Sequence, residues 1–248
     1  MGLGTWGLGL ERMSKVILIT GGTRGIGYAT AEALIKSSNK IAITGTTADG
    51  VVKAAHALSA GDGGDVVGIV CDVRDAGSTQ RALETVVARF RGIDVVINCA
   101  GVGVGVPVAQ MSNEEWDRII DTNLTGVFNV CKAAIPHLRA RGAGWIINIS
   151  SLSSTGPFPG GAAYVASKAG VNAFSDALMQ ELREDNIRVT TVLPGSVATG
   201  FNNREPGAGS DWKLLPEDVA HAIVDLLDHP ARSLPSRIEI RPSRPKKS

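Results

Sequence analysis

Val16-Ile-Leu-Ile-Thr-Gly-Gly-Thr-Arg-Gly-Ile-Gly27 joins an unbroken apolar run to a Gly-x3-Gly-x-Gly turn that opens a helical pattern. A run of Val, Ile and Leu without alternation suits a strand buried on both faces. Glycines at 21, 25 and 27 permit a tight turn. They also let the main chain around Thr23, Arg24 and Ile26 approach a pyrophosphate at the positive end of the helix. The spacing differs from the Gly-x-Gly-x2-Gly of the usual dinucleotide fingerprint, so the reading rests on the strand before it and the helix after it.

The same alternation continues outward from this unit. Apolar runs at 16–20, 41–44, 66–71, 94–98, 145–150, 188–193 and 237–240 read as strands. Helical patterns fall between them at 26–37, 50–59, 76–90, 113–139, 162–183 and 216–227. Ser112 and Glu115 form a capping box for the fourth helix, and Pro136 should kink or end it. Strict β-α alternation implies right-handed crossovers and an α/β fold. The expectation is one Rossmann-like, doubly wound parallel sheet of about seven strands with helices on both faces, spanning residues 14–242. Residues 1–13 read as a disordered extension and residues 243–248 as a flexible basic tail.

The 248 residues carry 25 Lys and Arg against 24 Asp and Glu, a formal charge of +1. That balance argues against nucleic acid or a membrane surface as the main partner. The N-terminus lacks the basic and apolar regions of a signal peptide, and no run approaches the ~20 apolar residues of a spanning helix. Cys71, Cys99 and Cys131 are odd in number and lack metal-type spacing, so free thiols in a reducing, cytoplasmic setting and no metal are expected.

Chemistry enters at Ala163-Tyr-Val-Ala-Ser-Lys-Ala-Gly170. Tyr164 and Lys168 are one helical turn apart on one face. A cation about 4 Å from the phenol would lower its pKa by up to ~3 units, an effect that burial would partly offset. Ser151 lies 13 residues before the tyrosine and adds a hydroxyl at a strand end. The end of the second strand, Thr44-Gly-Thr-Thr47, carries no acid where an NAD-selective site places one. Arg24, Thr46 and Thr47 could meet a 2′-phosphate instead, which favours NADP(H) and leaves NAD(H) open. Asp49 reads as a helix-terminal charge. His56, His137, His221 and His229 have no partner pattern, and Gly101–Gly105 reads as a flexible active-site loop.

With these motifs in order, the chain resembles the short-chain dehydrogenase/reductase family, in the compact branch that includes 3-oxoacyl-carrier-protein reductases. The likeness runs from about Ser14 to Pro242. It implies that the 20–27 turn binds the cofactor and that Asp72-Val73 contacts adenine. Asn98-Cys-Ala-Gly101 would follow the family's Asn-Asn-Ala-Gly signature, with Cys99 in place of the second Asn. Asn123 would hold a water leading from Lys168 to solvent. Ser151, Tyr164 and Lys168 would be the catalytic trio, and Lys168 would also bind the nicotinamide ribose. Pro194, Gly195, Val197 and Thr199 would hold the nicotinamide.

The expected activity is hydride transfer between NADP(H) and a ketone or secondary alcohol, including 3-oxoacyl thioesters. The alternatives are an NAD-dependent alcohol or sugar dehydrogenase and a cofactor-binding sensor without turnover. Substrate choice would fall to 101–110, 152–161 and a mobile lid at 200–215, with Phe158, Phe201 and Trp212 as an apolar wall. The resemblance also implies a homodimer or homotetramer. The helices at 113–139 and 162–183 would form the minimum dimer contact, while the C-terminal end departs from the relatives' pattern at the tetramer interface.

Overall fold

The computed structural model describes residues 14–62, 64–103, 105–201 and 210–244. Its seven strands are β1 (Val16–Thr20), β2 (Lys40–Gly45), β3 (Val66–Val70), β4 (Val95–Asn98), β5 (Gly144–Ile149), β6 (Ile187–Pro194) and β7 (Arg237–Ile240). They form one sheet in the order β3-β2-β1-β4-β5-β6-β7, every neighbouring pair parallel. Among the described residues seven α-helices accompany them: α1 (Gly25–Ile35), α2 (Ala48–Asp62), α3 (Ala76–Phe90), α4 (Asn113–Ile120), α5 (Gly126–Ala140), α6 (Ala162–Leu182) and α7 (Pro216–Leu227).

Both sheet faces are apolar because successive side chains in a strand point to opposite sides. Val16 and Leu18 of β1 join α3, α5 and α6 in one core, whereas Ile17 and Ile19 join α1, α2 and α7 in the other. Ile17, Leu18, Ile19, Ile41 and Ile97 are wholly buried. Each such side chain contributes about 1.5–3 kcal/mol. This two-sided burial is why the strands read as continuous apolar runs. The sheet order reverses between β1 and β4, which opens a crevice beyond the carboxyl ends of these strands.

The structure departs from the sequence reading in the fourth helix. The expected single helix is α4 and α5 joined by a turn of π-helix, Asp121–Thr125. The capping box at its start is present, with Ser112 Oγ accepting from Glu115 N at 3.2 Å and Ser112 N donating to Glu115 Oε2 at 3.1 Å. Pro136 does not end the helix, which continues to Ala140. The proline faces solvent, where the carbonyl it leaves without a donor can be hydrated. Among the described residues no helix is long and apolar enough to cross a membrane.

Candidate active site

A cleft of about 1440 Å³ opens at the crevice between β1 and β4. It runs from the Gly21–Ile26 turn past Thr46, Thr47, Asp72 and Val73 to Ser151, Tyr164 and Lys168. Ala100, Gly101, Pro194, Gly195, Val197 and Thr199 line it as well. Sequence reasoning therefore placed eighteen site residues on the cleft wall. Three others lie beneath it: Gly27, Asn98 and Asn123 are not among the lining residues.

Each of the three has a packing reason. A Cβ on Gly27 would stand 2.5 Å from the Gly21 carbonyl oxygen, so this glycine lets the turn fold onto α1. Asn98 is buried, and its Nδ2 donates to Asn148 Oδ1 at 2.8 Å and reaches Cys131 Sγ at 3.4 Å. Asn123 is wholly buried in the π turn. Its Oδ1 accepts from Val102 N, and its Nδ2 donates to Val102 O, both at 2.8 Å, and to Ser167 Oγ at 3.0 Å. Both amide hydrogens are spent on these bonds, so the side chain clamps the loop at Val102. Val102 is thereby bonded at both its N–H and its carbonyl.

The turn itself is built to receive an anion. Gly21 sits at φ +64° and Gly25 at φ +56°, conformations that favour glycine. The helix start at Arg24 has no side-chain cap, and α1 has no acid in its first turn. The positive end of α1, at Arg24, Gly25 and Ile26, lines the cleft. Thr20 Oγ1 accepts from Cys99 N at 3.1 Å and Ala100 N at 3.2 Å, which fixes the β4 end opposite the turn. The main chain at Cys99 is thus held despite the missing amide side chain.

At the adenosine end, Thr46 and Thr47 lie on the wall while Asp49 stands outside it, 3.9 Å from Lys53 and almost fully exposed. Thr47 Oγ1 accepts from Gly50 N at 3.3 Å. Arg24 donates to the Gly200 carbonyl at 3.2 Å, so its guanidinium reaches across to the segment after Thr199. Asp72 is held by Arg74, with Nη2 2.6 Å from Oδ2 and Nε 3.0 Å from both oxygens. These bonds keep the carboxyl below its usual range. Arg74 lines the cleft and was missed from sequence; its position two residues after Asp72 is the signal that could have revealed it.

The chemical centre joins the end of β5 to α6. Lys168 Nζ donates to the Ile149 carbonyl at 2.8 Å, and Ser150 Oγ donates to the Lys168 carbonyl at 3.1 Å. Ser151 is buried beside Tyr164. The phenol packs edge-on against Phe201, with ring centroids 6.0 Å apart. Burial pushes Tyr164 above its ordinary pKa of 10, and the hydrogen bond with the Ser151 hydroxyl offsets part of that rise. Burial lowers Lys168 from 10.5 to about 8.

These shifts correct the expected effect of the cation. The ammonium points at a carbonyl and lies 5.9 Å from the phenol ring centroid, so desolvation outweighs attraction. Cys99 is the nearby thiol; burial raises it to about 11, leaving it neutral at working pH. Phe158, Phe201 and Trp212 line the outer cleft as anticipated. Lys213, Arg241 and Arg244 line it too, and no local spacing in the sequence marks them as neighbours. The four histidines are not among the lining residues. Among the described residues there is no metal-ligand cluster, and all three cysteines are free.

The sequence matches the short chain dehydrogenase family over residues 15–207. The chain belongs to the short-chain dehydrogenase family. A 3-oxoacyl-[acyl-carrier-protein] reductase of Chlamydia trachomatis serovar D is 37% identical over 224 residues, which cover 86% of this chain and 90% of that protein. A serine 3-dehydrogenase of Rhizobium radiobacter is 33% identical over 240 residues, covering 93% and 94%. Among solved structures, an alcohol dehydrogenase of Thermococcus sibiricus in complex with 5-hydroxy-NADP superposes with a TM-score of 0.88 at 31% identity. That likeness covers 94% of this chain and all of the other. As a short-chain dehydrogenase the chain is an oxidoreductase, and its Ser-Tyr-Lys cluster stands at the strand-order reversal where such a fold presents its ligand.

Proposed function

We propose that this short-chain dehydrogenase uses NADP(H) to reduce a ketone to a secondary alcohol, with 3-oxoacyl thioesters as the first substrate class to test. The observation that carries this reading is the convergence of Ser151, Tyr164 and Lys168 on the cleft that begins at the uncapped α1. The α1 N-terminus and its turn fit a pyrophosphate. The wall at Thr46 and Thr47 offers hydroxyls and no carboxylate to a 2′-phosphate, and Arg24 lines the same cleft. NADP complexes among similar structures support that choice.

NADPH held on the 20–27 turn would supply a hydride for the carbonyl carbon and would become NADP+. The new C–H bond takes that electron pair, and the C=O π pair moves to oxygen. Tyr164, held protonated by burial, donates its proton there, and the product is the neutral alcohol. Ser151 donates a hydrogen bond that orients the carbonyl and stabilises charge developing on its oxygen. Lys168 holds the tyrosine's side of the cleft in place through Ile149 and binds the cofactor ribose. Phe158, Phe201 and Trp212 exclude water around an apolar substrate.

Two copies pair through α4, α5 and α6 in this reading, which is supported by Trp116 and Phe128, exposed at 41% and 45% on α4 and α5. The chemical assignment is tested with Tyr164→Phe, assayed on a panel of ketones and acyl thioesters with NADPH and NADH. Turnover should be abolished while NADPH binding persists. Retained turnover removes Tyr164 as the acid, and higher kcat/KM with NADH in the wild type decides for the NAD-dependent dehydrogenase reading.

A further inference from the structure

Asn172 stands one turn beyond Lys168 and two beyond Tyr164, so α6 presents all three on one face. Its Nδ2 donates to Ser154 Oγ at 2.8 Å, and Ser154 Oγ donates in turn to the Ser151 carbonyl at 2.6 Å. Ser153 N donates to Ser151 Oγ at 3.1 Å, which occupies an acceptor site of that hydroxyl and leaves its hydrogen for Tyr164 or a substrate. The chain of bonds therefore runs from the helix carrying the phenol to the turn carrying the serine. Beyond the Ser151–Tyr164 bond itself, two further ties between these segments reach Ile149 and Ser150.

Stability does not explain the amide. Asn172 is buried, and its Oδ1 has no hydrogen-bond partner. Burying an unpaired acceptor destabilises a fold, and such a group in a native core calls for a reason other than packing. An apolar side chain of similar volume would remove that deficit at a helical position.

We propose that Asn172, acting through Ser154, is a positioning residue that holds Ser151 in register with Tyr164. This rests on the reading of Ser151 and Tyr164 as the reacting pair. The amide is retained for the geometry of the serine turn at the expense of fold stability, a trade found at functional sites. Without it the Ser154 hydroxyl is free to rotate, the Ser151 peptide loosens, and the serine donor drifts from the tyrosine.

The experiment uses the full chain with NADPH and a ketone found active in the panel. Asn172→Leu should leave Tm unchanged or raised and lower kcat roughly five- to tenfold, about one hydrogen bond's worth, with the NADPH Kd within twofold. Ser154→Ala should lower kcat similarly, the double variant should be no worse than either single, and Ser154→Thr, which keeps the hydroxyl, should restore activity. In the direction of alcohol oxidation the rise of kcat/KM with pH should move to higher pH in Asn172→Leu, because Ser151 no longer offsets the burial of Tyr164. Lys168 and Cys99, the titratable groups beside the site, are unchanged in these variants.

Wild-type kcat in Asn172→Leu or Ser154→Ala overturns the proposal. So does a fall in Tm that accompanies the loss of kcat, or additive losses in the double variant, since those mark a structural role. If Ser151→Ala and Tyr164→Phe themselves retain turnover, the underlying assignment fails instead, and the two failures are distinct.

Discussion

The charge on Lys168 leads to a measurable pH dependence of stability. The ammonium titrates near 8 in the folded protein against an ordinary 10.5, and burial is the leading cause. Because the folded value is the lower one, the unfolded chain binds more protons between the two. Stability contributed by this group is fully present above 10.5 and is lost as pH falls through 8. Each pKa unit is worth 1.36 kcal/mol, so the cost is about 3 kcal/mol at pH 7, of which roughly 1 kcal/mol is relieved by pH 9. Lys168→Met keeps a similar stem and removes the titration. Urea denaturation in the absence of dinucleotide should show wild-type stability rising against Lys168→Met by roughly 1 kcal/mol from pH 7 to pH 9. Losing the bond to Ile149 offsets the curve without changing this slope. Tyr164 and Cys131 have raised folded values and cancel in the difference; Cys99, which Lys168 lowers, titrates at about 11 in the folded protein, above this window. A flat difference between the two proteins would refute the buried-charge argument.

Arg24→Ala should raise KM for NADPH about tenfold and leave KM for NADH within twofold, since a charged hydrogen bond to phosphate is worth ~1.5–3 kcal/mol. Equal effects on both cofactors in steady-state assays would detach Arg24 from phosphate recognition. Gly27→Ala places a Cβ 2.5 Å from the Gly21 oxygen and should cost about 1–3 kcal/mol with a lower Tm and weaker NADPH fluorescence titration. An unshifted Tm would show that the turn can relax. Phe128, which meets Phe174 edge-on at 6.4 Å, is the residue to charge for the proposed pairing. Phe128→Asp should shift sedimentation from dimer towards monomer, and a wild-type profile would place the contact elsewhere.

Much of this architecture was legible because the signals are local. β1 and the 20–27 turn declare themselves by composition, and the i,i+4 spacing of Tyr164 and Lys168 fixes a shared face. Spacing says nothing about where a side chain's tip goes, so the turn of the Lys168 ammonium towards Ile149 was invisible. Asp121–Thr125 reads as ordinary helix because its π geometry is held by Asn123 bonding to Val102 and Ser167, partners distant in sequence. Asn98 was taken for a cleft residue because its motif is adjacent to Ala100 and Gly101, yet its side chain faces the opposite way, into the core. Half of the mobile lid expected at 200–215, residues 202–209, lies outside the described residues.

A helix advances about 100° with each residue, so the widened turn at Asp121–Thr125 fixes an angular offset between α4 and α5. Regularising that turn into α-helix at the same length would swing everything beyond it by roughly a quarter-turn. Val127, Val130, Ala134 and Leu138 would rotate off the sheet together. The surplus residue works like an indexing notch: the wide turn takes it up, and the apolar face of α5 stays on the sheet.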